Sequence, residues 1–278
     1  MTDGFLNGAD RRHAVATHGD LAPTHIVMHF TQMGSVRSSI DVLNARGFGY
    51  HVLIDRDGTV YQTARFDRMV HHAGASNWRG REALNTFALG VSLANHGPLN
   101  ADGTSWRAAD GTRIAPAQVL VASHQNGDPA FANRGWERFP AAQVASAHAV
   151  CRHLVSVHPI REIVRHDDVS IGRKVDTGPA FGMAPLRALV RPHAPGHGAR
   201  HRVVTQGGTA LRATHAMDGP VIGRLPEGAT VHVLSRSYQE EPEGAVFADW
   251  CLVSADGKTR TGFAHVGDLE LLHACGGS

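Results

Sequence analysis

The sequence is poor in the features that mark several common classes of protein. It has 3 cysteines, Cys151, Cys251 and Cys275, and no two of them form a Cys-x-x-Cys pair. Neither a disulfide framework nor a cysteine-based metal site is therefore indicated, and we expect free thiols. No apolar run approaches the roughly 18 residues that a membrane-spanning helix needs, so no membrane span is expected.

Excess charge is missing as well. The 27 basic and 25 acidic residues give a formal net charge of +2, which leaves no broad cationic surface, so nucleic acid is not an expected partner. Arg11, Arg12 and His13 lie near the N-terminus, but no apolar stretch of signal-peptide length follows. We expect synthesis as a soluble cytoplasmic protein that another device must deliver to any substrate outside the membrane.

Histidine, by contrast, is abundant, and the stretch 163–181 combines it with a carboxylate and a cation. The β-branched pair Ile163 and Val164 predicts a strand that ends at His166. The following glycines and proline favour a loop that carries Lys174 and Asp176. An imidazole and a carboxylate that can fold together in this way are typical of a metal site.

A third ligand is expected from the run Thr24–Phe30, whose apolar residues predict a buried strand containing His29. His29, His166 and Asp176 would form a two-histidine, one-carboxylate set. Three protein ligands and an open fourth position are typical of catalytic zinc. The alternative is a chance match, since 20 of the 278 residues are histidine.

The remaining pattern predicts alternating strands and helices. We expect a helix over 35–46, a hairpin around Asp57-Gly58, a loop at 70–78 that presents imidazoles, and a buried central strand over 88–95. Further helices are expected over 140–158 and 181–190. Residues 97–135, rich in Gly, Asp, Asn and Pro, are expected to form a long inserted loop that borders the substrate groove.

Several motifs in this order resemble the type 2 N-acetylmuramoyl-L-alanine amidases, a family that includes phage lysozyme-type amidases and peptidoglycan-recognition proteins. The resemblance covers about residues 20–192. It is carried by His29, Gly-Tyr50-His-Val-Leu-Ile-Asp-Arg-Asp-Gly-Thr-Val-Tyr, His72-Ala-Gly, Asn85, Leu-Gly-Val-Ser-Leu, His166 and Gly-Arg-Lys174-Val-Asp176-Thr-Gly-Pro.

The resemblance implies an α/β fold, a mixed central sheet flanked by helices, with a zinc-bearing groove that receives peptidoglycan or muramyl peptides. The reaction would be hydrolysis of the amide between N-acetylmuramic acid and L-alanine. Zinc bound by His29, His166 and Asp176 would acidify a water, and Lys174 and His72 would supply positive charge or donors to the oxyanion. Asn85, Ser92 and Trp78 are the further expected substrate-binding positions.

Two positions depart from the family pattern. Phe30 follows His29 where relatives often have a second histidine, which leaves the ligand position itself intact. Ser92 stands in the central strand where the recycling-type amidases have glutamate. Since a serine hydroxyl is not a useful base, we expect Tyr50 to handle or orient the proton, through a pKa lowered by zinc and Lys174. The alternative for Tyr50 is an ordinary strand aromatic that packs the core.

The Pro/Gly-rich stretch 191–198 predicts a boundary, so we expect an amidase domain over 1–192, a linker over 193–199 and a second domain over 200–278. Short strands separated by turns predict a small β-barrel that resembles a bacterial SH3-like domain. Such domains bind cell-wall peptide; the alternative is a cap on the catalytic domain. Trp250, Phe263 and Tyr238 are candidates for either its core or a ligand platform.

The functional alternative to an enzyme is a non-catalytic module that only recognises peptidoglycan. Tyr50 and Lys174, kept together with all three ligands, argue against it, because a sensor needs none of them. Phage endolysin, delivered toxin and recycling enzyme all remain possible settings, with the wall-binding-like tail favouring the first two. Holin-type release, lysis or a secretion system would then bring the chain to the wall.

Overall fold

The computed structural model describes residues 4–78, 80–124, 126, 128–190, 199–213, 220–237, 250–254 and 261–272. These form two compact units: 4–76 with 82–190 belong to the first, and the segment 77–81 with the described residues from 199 onward belongs to the second. No helix in the described ranges is long and apolar enough to cross a membrane.

Helices and strands alternate along the first part of the chain. The helices are α1 (Val36–Ala45), α2 (Ala141–Val157), α3 (His166–Val169) and α4 (Ala184–Leu189). The strands are β1 (His25–Phe30), β2 (Val52–Ile54), β3 (Val60–Gln62), β4 (Asn77–Trp78), β5 (Arg81–Glu82), β6 (Ala88–Leu93), β7 (Pro98–Asp102), β8 (Ser105–Arg107), β9 (Arg113–Ile114), β10 (Val119–Ala122), β11 (Arg134–Glu137) and β12 (Glu162–Arg165).

A mixed central sheet runs in the order β12-β1-β6-β2-β3. Its first four strands are parallel, and β3 returns antiparallel to β2 through the predicted hairpin. Every residue of β1 and β6 is buried, as expected for inner strands with both faces covered. Since β1 and β12 are adjacent and parallel, their carboxyl ends bring His29 and His166 to the same edge of the sheet.

The predicted helices form because their ends and faces are well specified. Ser35 caps α1 by accepting a hydrogen bond from the backbone of Ser38 at 3.3 Å. Along α2, Ala147, Val150, Cys151 and Leu154 form one buried stripe in the core under the sheet. The thiol of Cys151 is free, whereas Cys275 and the side chain of Cys251 lie outside the described residues.

The expectation of a long loop over 97–135 is wrong. This region forms a second sheet in the order β10-β11-β7-β8-β9, with Leu99, Ala108, Ile114 and Val119 as its own small core. Its strands are two to five residues long, too short for a clear alternating pattern. The Asp-Gly turn at 102–103 closes the hairpin between β7 and β8, and this signal had identified the first hairpin at 57–58.

The second unit is all-β, as predicted. Its strands follow the order β15-β14-β18-β17-β16-β13-β19. They are β13 (Ala199–Val203), β14 (Thr209–Arg212), β15 (Val221–Leu225), β16 (Thr230–Ser237), β17 (Trp250–Ser254), β18 (Thr261–His265) and β19 (Leu269–Leu271).

Two strands of this unit, β13 and β19, were not expected from the sequence. Ala199, assigned to the linker, already belongs to β13; the rest of the predicted linker lies outside the described residues. Tyr238 and the side chains of Trp250 and Phe263 lie outside them too, so the two roles proposed for these aromatics are still open.

Candidate metal centre

Three buried side chains converge at the carboxyl edge of the central sheet. The Nδ1 atoms of His29 and His166 are 3.0 Å apart, and Asp176 Oδ2 lies 3.0 Å from the first and 2.9 Å from the second. In the described part of the chain, this is the one group of three such residues whose ligand atoms all lie within 4.8 Å of one another. The sequence predicted these three residues from strand ends and one loop.

The outer nitrogens of both histidines are also engaged. His29 Nε2 is 3.0 Å from His72 Nδ1, and His72 Nε2 is 3.1 Å from the carbonyl oxygen of Ala88. His166 Nε2 is 3.0 Å from the carbonyl oxygen of Ala73. A carbonyl only accepts, so we assign the protons to Nε2 of His166 and His72, and His29 Nε2 then donates to His72. Both inner Nδ1 atoms are left free to bind a metal ion.

Burial sets the charge state of the cluster. It lowers the pKa of His29 to about 4, with the neighbouring His166 adding to the effect. Burial alone would raise the pKa of Asp176, but the charges and hydrogen bonds of His166 and His29 outweigh it and hold that pKa well below its usual range. A neutral imidazole beside a carboxylate at neutral pH is the form in which these groups bind a cation.

The residues fit zinc by chemistry and by spacing. Two imidazole nitrogens and one carboxylate oxygen form a catalytic type of zinc donor set. Ligand atoms at about 2.0–2.2 Å from a tetrahedral ion lie roughly 3.3 Å apart, a few tenths of an ångström more than the separations of 2.9 to 3.0 Å found between these atoms. The outer hydrogen bonds add the orienting partners that zinc histidines typically have.

The role predicted for His72 needs correction. Both ring nitrogens are engaged, one with His29 and one with Ala88, so neither is left to donate to an oxyanion. Burial, followed by the charges of His29 and His51, holds the pKa of His72 well below its usual value. The ring fits only because residue 90 is glycine, since a Cβ there would lie 2.7 Å from His72 Cγ. His72 therefore orients a metal ligand.

Tyr50 and Ser92 flank His29. The rings of Tyr50 and His29 are 4.8 Å apart, and Ser92 is paired with His29 across the parallel strands β1 and β6. Burial and the charge of Asp176 raise the pKa of Tyr50, whereas the lowering expected from bound zinc and Lys174 stays a prediction. Ser92 opposes this shift slightly, yet its buried Oγ makes no hydrogen bond of good geometry with any described residue.

The structure gives different kinds of information about Lys174 and Trp78. The positive charge of Lys174 contributes to lowering the pKa of His29, and its role at the oxyanion stays a prediction. Trp78 is buried and belongs to the segment 77–81, which groups with the second unit rather than with the unit that holds the metal ligands. Nothing in the first unit's metal centre therefore supports Trp78 as a substrate-binding residue.

Asn85 is engaged in a way that the sequence did not indicate. Its Oδ1 accepts hydrogen bonds from the backbone N–H groups of His72 and Ala73, at 3.0 and 2.8 Å. That oxygen is therefore already used inside the protein, and the expectation that Asn85 binds substrate stays a prediction.

Two further side chains support the loop that carries Asp176. Arg173 Nη2 lies 2.7 Å from the carbonyl oxygens of Ala73 and Ala75. The buried Asp167 Oδ2 lies 2.9 Å from His124 Nε2, which ties the loop to the inserted sheet. Arg173 and Asp167 sit beside Lys174 and His166 in the sequence, but nothing in their spacing distinguishes them from ordinary charged loop residues.

Comparison with known proteins agrees with this architecture. The family model described as N-acetylmuramoyl-L-alanine amidase (Amidase_2) matches residues 19–179, and the bacterial SH3 domain model matches residues 207–270. The 1,6-anhydro-N-acetylmuramyl-L-alanine amidase AmpD of Escherichia coli K12 is 30% identical over 142 residues, which cover 50% of this chain and 57% of AmpD. The N-acetylmuramoyl-L-alanine amidase AmiD of the same organism is 24% identical over 166 residues, covering 56% of this chain and 49% of AmiD.

Among solved structures, a selenomethionine derivative of AmpD aligns with a TM-score of 0.45 at 22% identity, covering 69% of this chain and 99% of AmpD. A complex of E. coli AmiD with the substrate anhydro-N-acetylmuramic acid-L-Ala-D-γ-Glu-L-Lys aligns with a TM-score of 0.45 at 20% identity, covering 69% of this chain and 62% of AmiD. The chain spans about half the length of the curated relatives it matches. With more than half of its residues inside the matched region, the chain belongs to the N-acetylmuramoyl-L-alanine amidase family and carries a bacterial SH3 domain behind the amidase domain.

Proposed function

We propose that this protein is a zinc-dependent amidase that hydrolyses the bond between N-acetylmuramic acid and L-alanine in peptidoglycan or muramyl peptides. The observation that carries the proposal is the convergence of His29 Nδ1, His166 Nδ1 and Asp176 Oδ2 within 3.0 Å of one another. When bound, zinc supplies a Lewis acid and an acidified water. Family membership supports the same bond class.

The neighbouring side chains have complementary tasks in this proposal. Lys174 holds positive charge beside the carbonyl oxygen as negative charge develops on it. Tyr50, whose ring packs against that of His29, orients or transfers a proton through its hydroxyl. Ser92 has no useful basicity, and its role is that of a small side chain in β6 at the position paired with His29. His72 keeps the His29 ring in the orientation that turns Nδ1 inward.

The test is to incubate purified protein with a soluble muramyl peptide, with and without a chelator, and to detect the products by mass. Release of a free L-alanyl peptide, its loss on chelation and its return on adding zinc would support the proposal. Binding of the muramyl peptide without cleavage, in protein that holds one zinc per chain, would point instead to a recognition module.

We further propose that the SH3 domain tethers the enzyme to the cell wall. This proposal draws on the domain match over residues 207–270. Tethering would raise the effective concentration of the amidase domain at its substrate without any new contact in the metal centre.

A further inference from the structure

One short segment, residues 72–73, serves both proposed zinc histidines at once. The side chain of His72 accepts the hydrogen bond from His29 Nε2, and the next residue, Ala73, accepts one from His166 Nε2 through its carbonyl oxygen. His29 lies in β1 and His166 begins α3 directly after β12, so the relative orientation of their rings depends on where this segment lies. Any shift of the segment would turn both rings.

Asn85 holds the backbone N–H groups of this segment, while Arg173 Nη2 donates to the carbonyl oxygen of Ala73. Asn85 lies in the 3-10 turn Leu84–Thr86, directly before β6. Its Oδ1 accepts from two consecutive backbone N–H groups, those of His72 and Ala73, at 3.0 and 2.8 Å. The only other link from this segment to β6 in the contacts described above is the His72 Nε2 bond to the carbonyl oxygen of Ala88. The Asn85 amide oxygen thus ties the backbone of the segment to the turn that leads into β6.

From this geometry we infer that Asn85 is a positioning residue for the metal centre, acting through residues 72–73; the inference rests on the proposed zinc function. Without an acceptor at this point, two partly buried N–H groups lose their partner, and the segment moves to find others. Both zinc histidines then lose the hydrogen bonds that fix their rings. Loss of such supporting partners typically costs about 10- to 100-fold in metal affinity.

This role differs from the one that the sequence pattern implied for Asn85. If Asn85 bound substrate, its substitution would change the Michaelis constant and leave the zinc affinity unchanged. If Asn85 positions the metal ligands, its substitution changes the zinc affinity even when no substrate is present. The acceptor oxygen is what the role requires, so aspartate, which keeps an oxygen at the same place, should preserve it, whereas alanine should not.

The experiment measures zinc dissociation constants of the full-length protein by competition with a chromophoric chelator, without substrate. Asn85→Ala should weaken zinc binding about 10-fold or more, and Asn85→Asp should stay within about threefold of the wild type. Asn95→Ala is the matched control: Asn95 Oδ1 also accepts from a backbone N–H, that of Gly97 at 2.7 Å, but it contacts neither residues 72–73 nor a metal ligand. Its zinc affinity should stay within about threefold.

Cobalt substitution adds a second measurement, because the visible absorption of bound Co²⁺ reports ligand geometry. The absorption spectrum of bound Co²⁺ should differ from that of the wild type in Asn85→Ala and match it in Asn85→Asp. If Asn85→Ala lacks a cooperative unfolding transition, Asn85→Ser takes its place.

Equal zinc affinity in wild type and Asn85→Ala would overturn the inference, and so would an equal loss in Asn95→Ala or in Asn85→Asp. A wild-type protein that binds no zinc would instead overturn the proposed function.

Discussion

Two of the buried clusters in the first unit combine histidine with carboxylate, yet they favour opposite charge states of the histidine. In the metal centre, burial lowers the pKa of His29 to about 4. In the other cluster, a hydrogen bond that His96 donates to Glu137 raises the pKa of His96 despite its burial. The residue types are the same, so the difference lies in what each ring nitrogen faces.

His96 has a carboxylate on each side. Its Nδ1 is 2.8 Å from Glu137 Oε2, and its Nε2 is 3.5 Å from Asp110 Oδ2. Arg56 completes the cluster at 2.8 Å from Glu137 Oε1. With acceptors at both nitrogens, this imidazole gains from being protonated and cannot bind a metal ion. His29 faces one carboxylate, Asp176, at its inner nitrogen and shares that oxygen with His166, while its outer nitrogen faces the imidazole of His72.

The comparison teaches that a histidine is a ligand or a cation according to the balance of acceptors around it. Two imidazoles and one carboxylate leave a site short of positive charge, which a metal ion can supply. One imidazole among two carboxylates and an arginine leaves a closed network of ion pairs. Substitutions in the metal centre should therefore affect zinc binding and activity, whereas substitutions in the His96 cluster should affect the stability of the fold.

The largest effect is expected at the metal centre itself. Asp176→Ala removes the carboxylate that lies within 3.0 Å of Nδ1 of both His29 and His166, so bound zinc and amidase activity should both be lost. Zinc content by elemental analysis and hydrolysis of a muramyl peptide provide the measurements. A variant that purifies with stoichiometric zinc would show that the ligand set is wrong.

The next largest effect concerns Tyr50. Tyr50→Phe keeps the ring against His29 but removes the hydroxyl, so turnover should fall about 10²-fold or more, with zinc content and folding unchanged. Ser92→Ala should cost far less, because its hydroxyl contributes no base. Steady-state rates of the two variants test the pair. Normal turnover in Tyr50→Phe together with an inactive Ser92→Ala would exchange their roles.

Removal of residues 196–278 should leave both clusters unchanged. Residues 1–195 contain all the groups of the metal centre and of the His96 network, so this fragment should bind zinc and hydrolyse soluble muramyl peptides. Its binding to intact sacculi should fall, because the tether is gone. Sedimentation of the fragment and the full-length protein with purified sacculi measures the effect. Equal binding by both would remove the targeting role from the SH3 domain.

The smallest effect is expected at His96, and it depends on pH. The raised pKa of His96 stabilises the fold below the unfolded value of 6.5, and this contribution is lost as the pH rises through the folded value. Burial alone would raise the pKa of Glu137, but His96 lowers it overall. The contribution of Glu137 is therefore present above the unfolded value of 4.5 and is lost as the pH falls through the folded value.

His96→Gln should consequently lower the free energy of unfolding by about 1 kcal/mol between pH 4.5 and 6.5. The difference from the wild type should shrink as the pH is raised above that window. Urea unfolding of both proteins at several pH values gives the comparison. A difference that does not change from pH 5 to pH 9 would show that His96 is not a cation in the folded protein.

Much of the metal centre could be predicted because its geometry follows from chain order. A strand ending in His166 and a buried strand containing His29 meet when the strands are parallel neighbours, and the loop to Asp176 is short. The sheet, the first hairpin and the main helices were predicted for the same reason: their patterns are local.

The inserted sheet was missed because strands of two to five residues show little periodicity, although its Asp-Gly turns were visible.

The functions of His72 and Asn85 could not be read from the sequence. Both stand in motifs shared with catalytic residues, but their contacts depend on which ring nitrogen or amide oxygen faces which backbone group. The pKa of Tyr50 depends in the same way on burial and on the distance to Asp176. Such quantities are set by the folded core, and residue spacing carries no information about them.

The most direct test of the account is a crystal structure of the zinc-loaded protein with anomalous scattering measured at the zinc edge. We predict one strong peak bound by Nδ1 of His29, Nδ1 of His166 and a carboxylate oxygen of Asp176, at about 2.0–2.2 Å from each. Coordination through Nε2 of either histidine, or a zinc peak that lacks Asp176, would contradict the account.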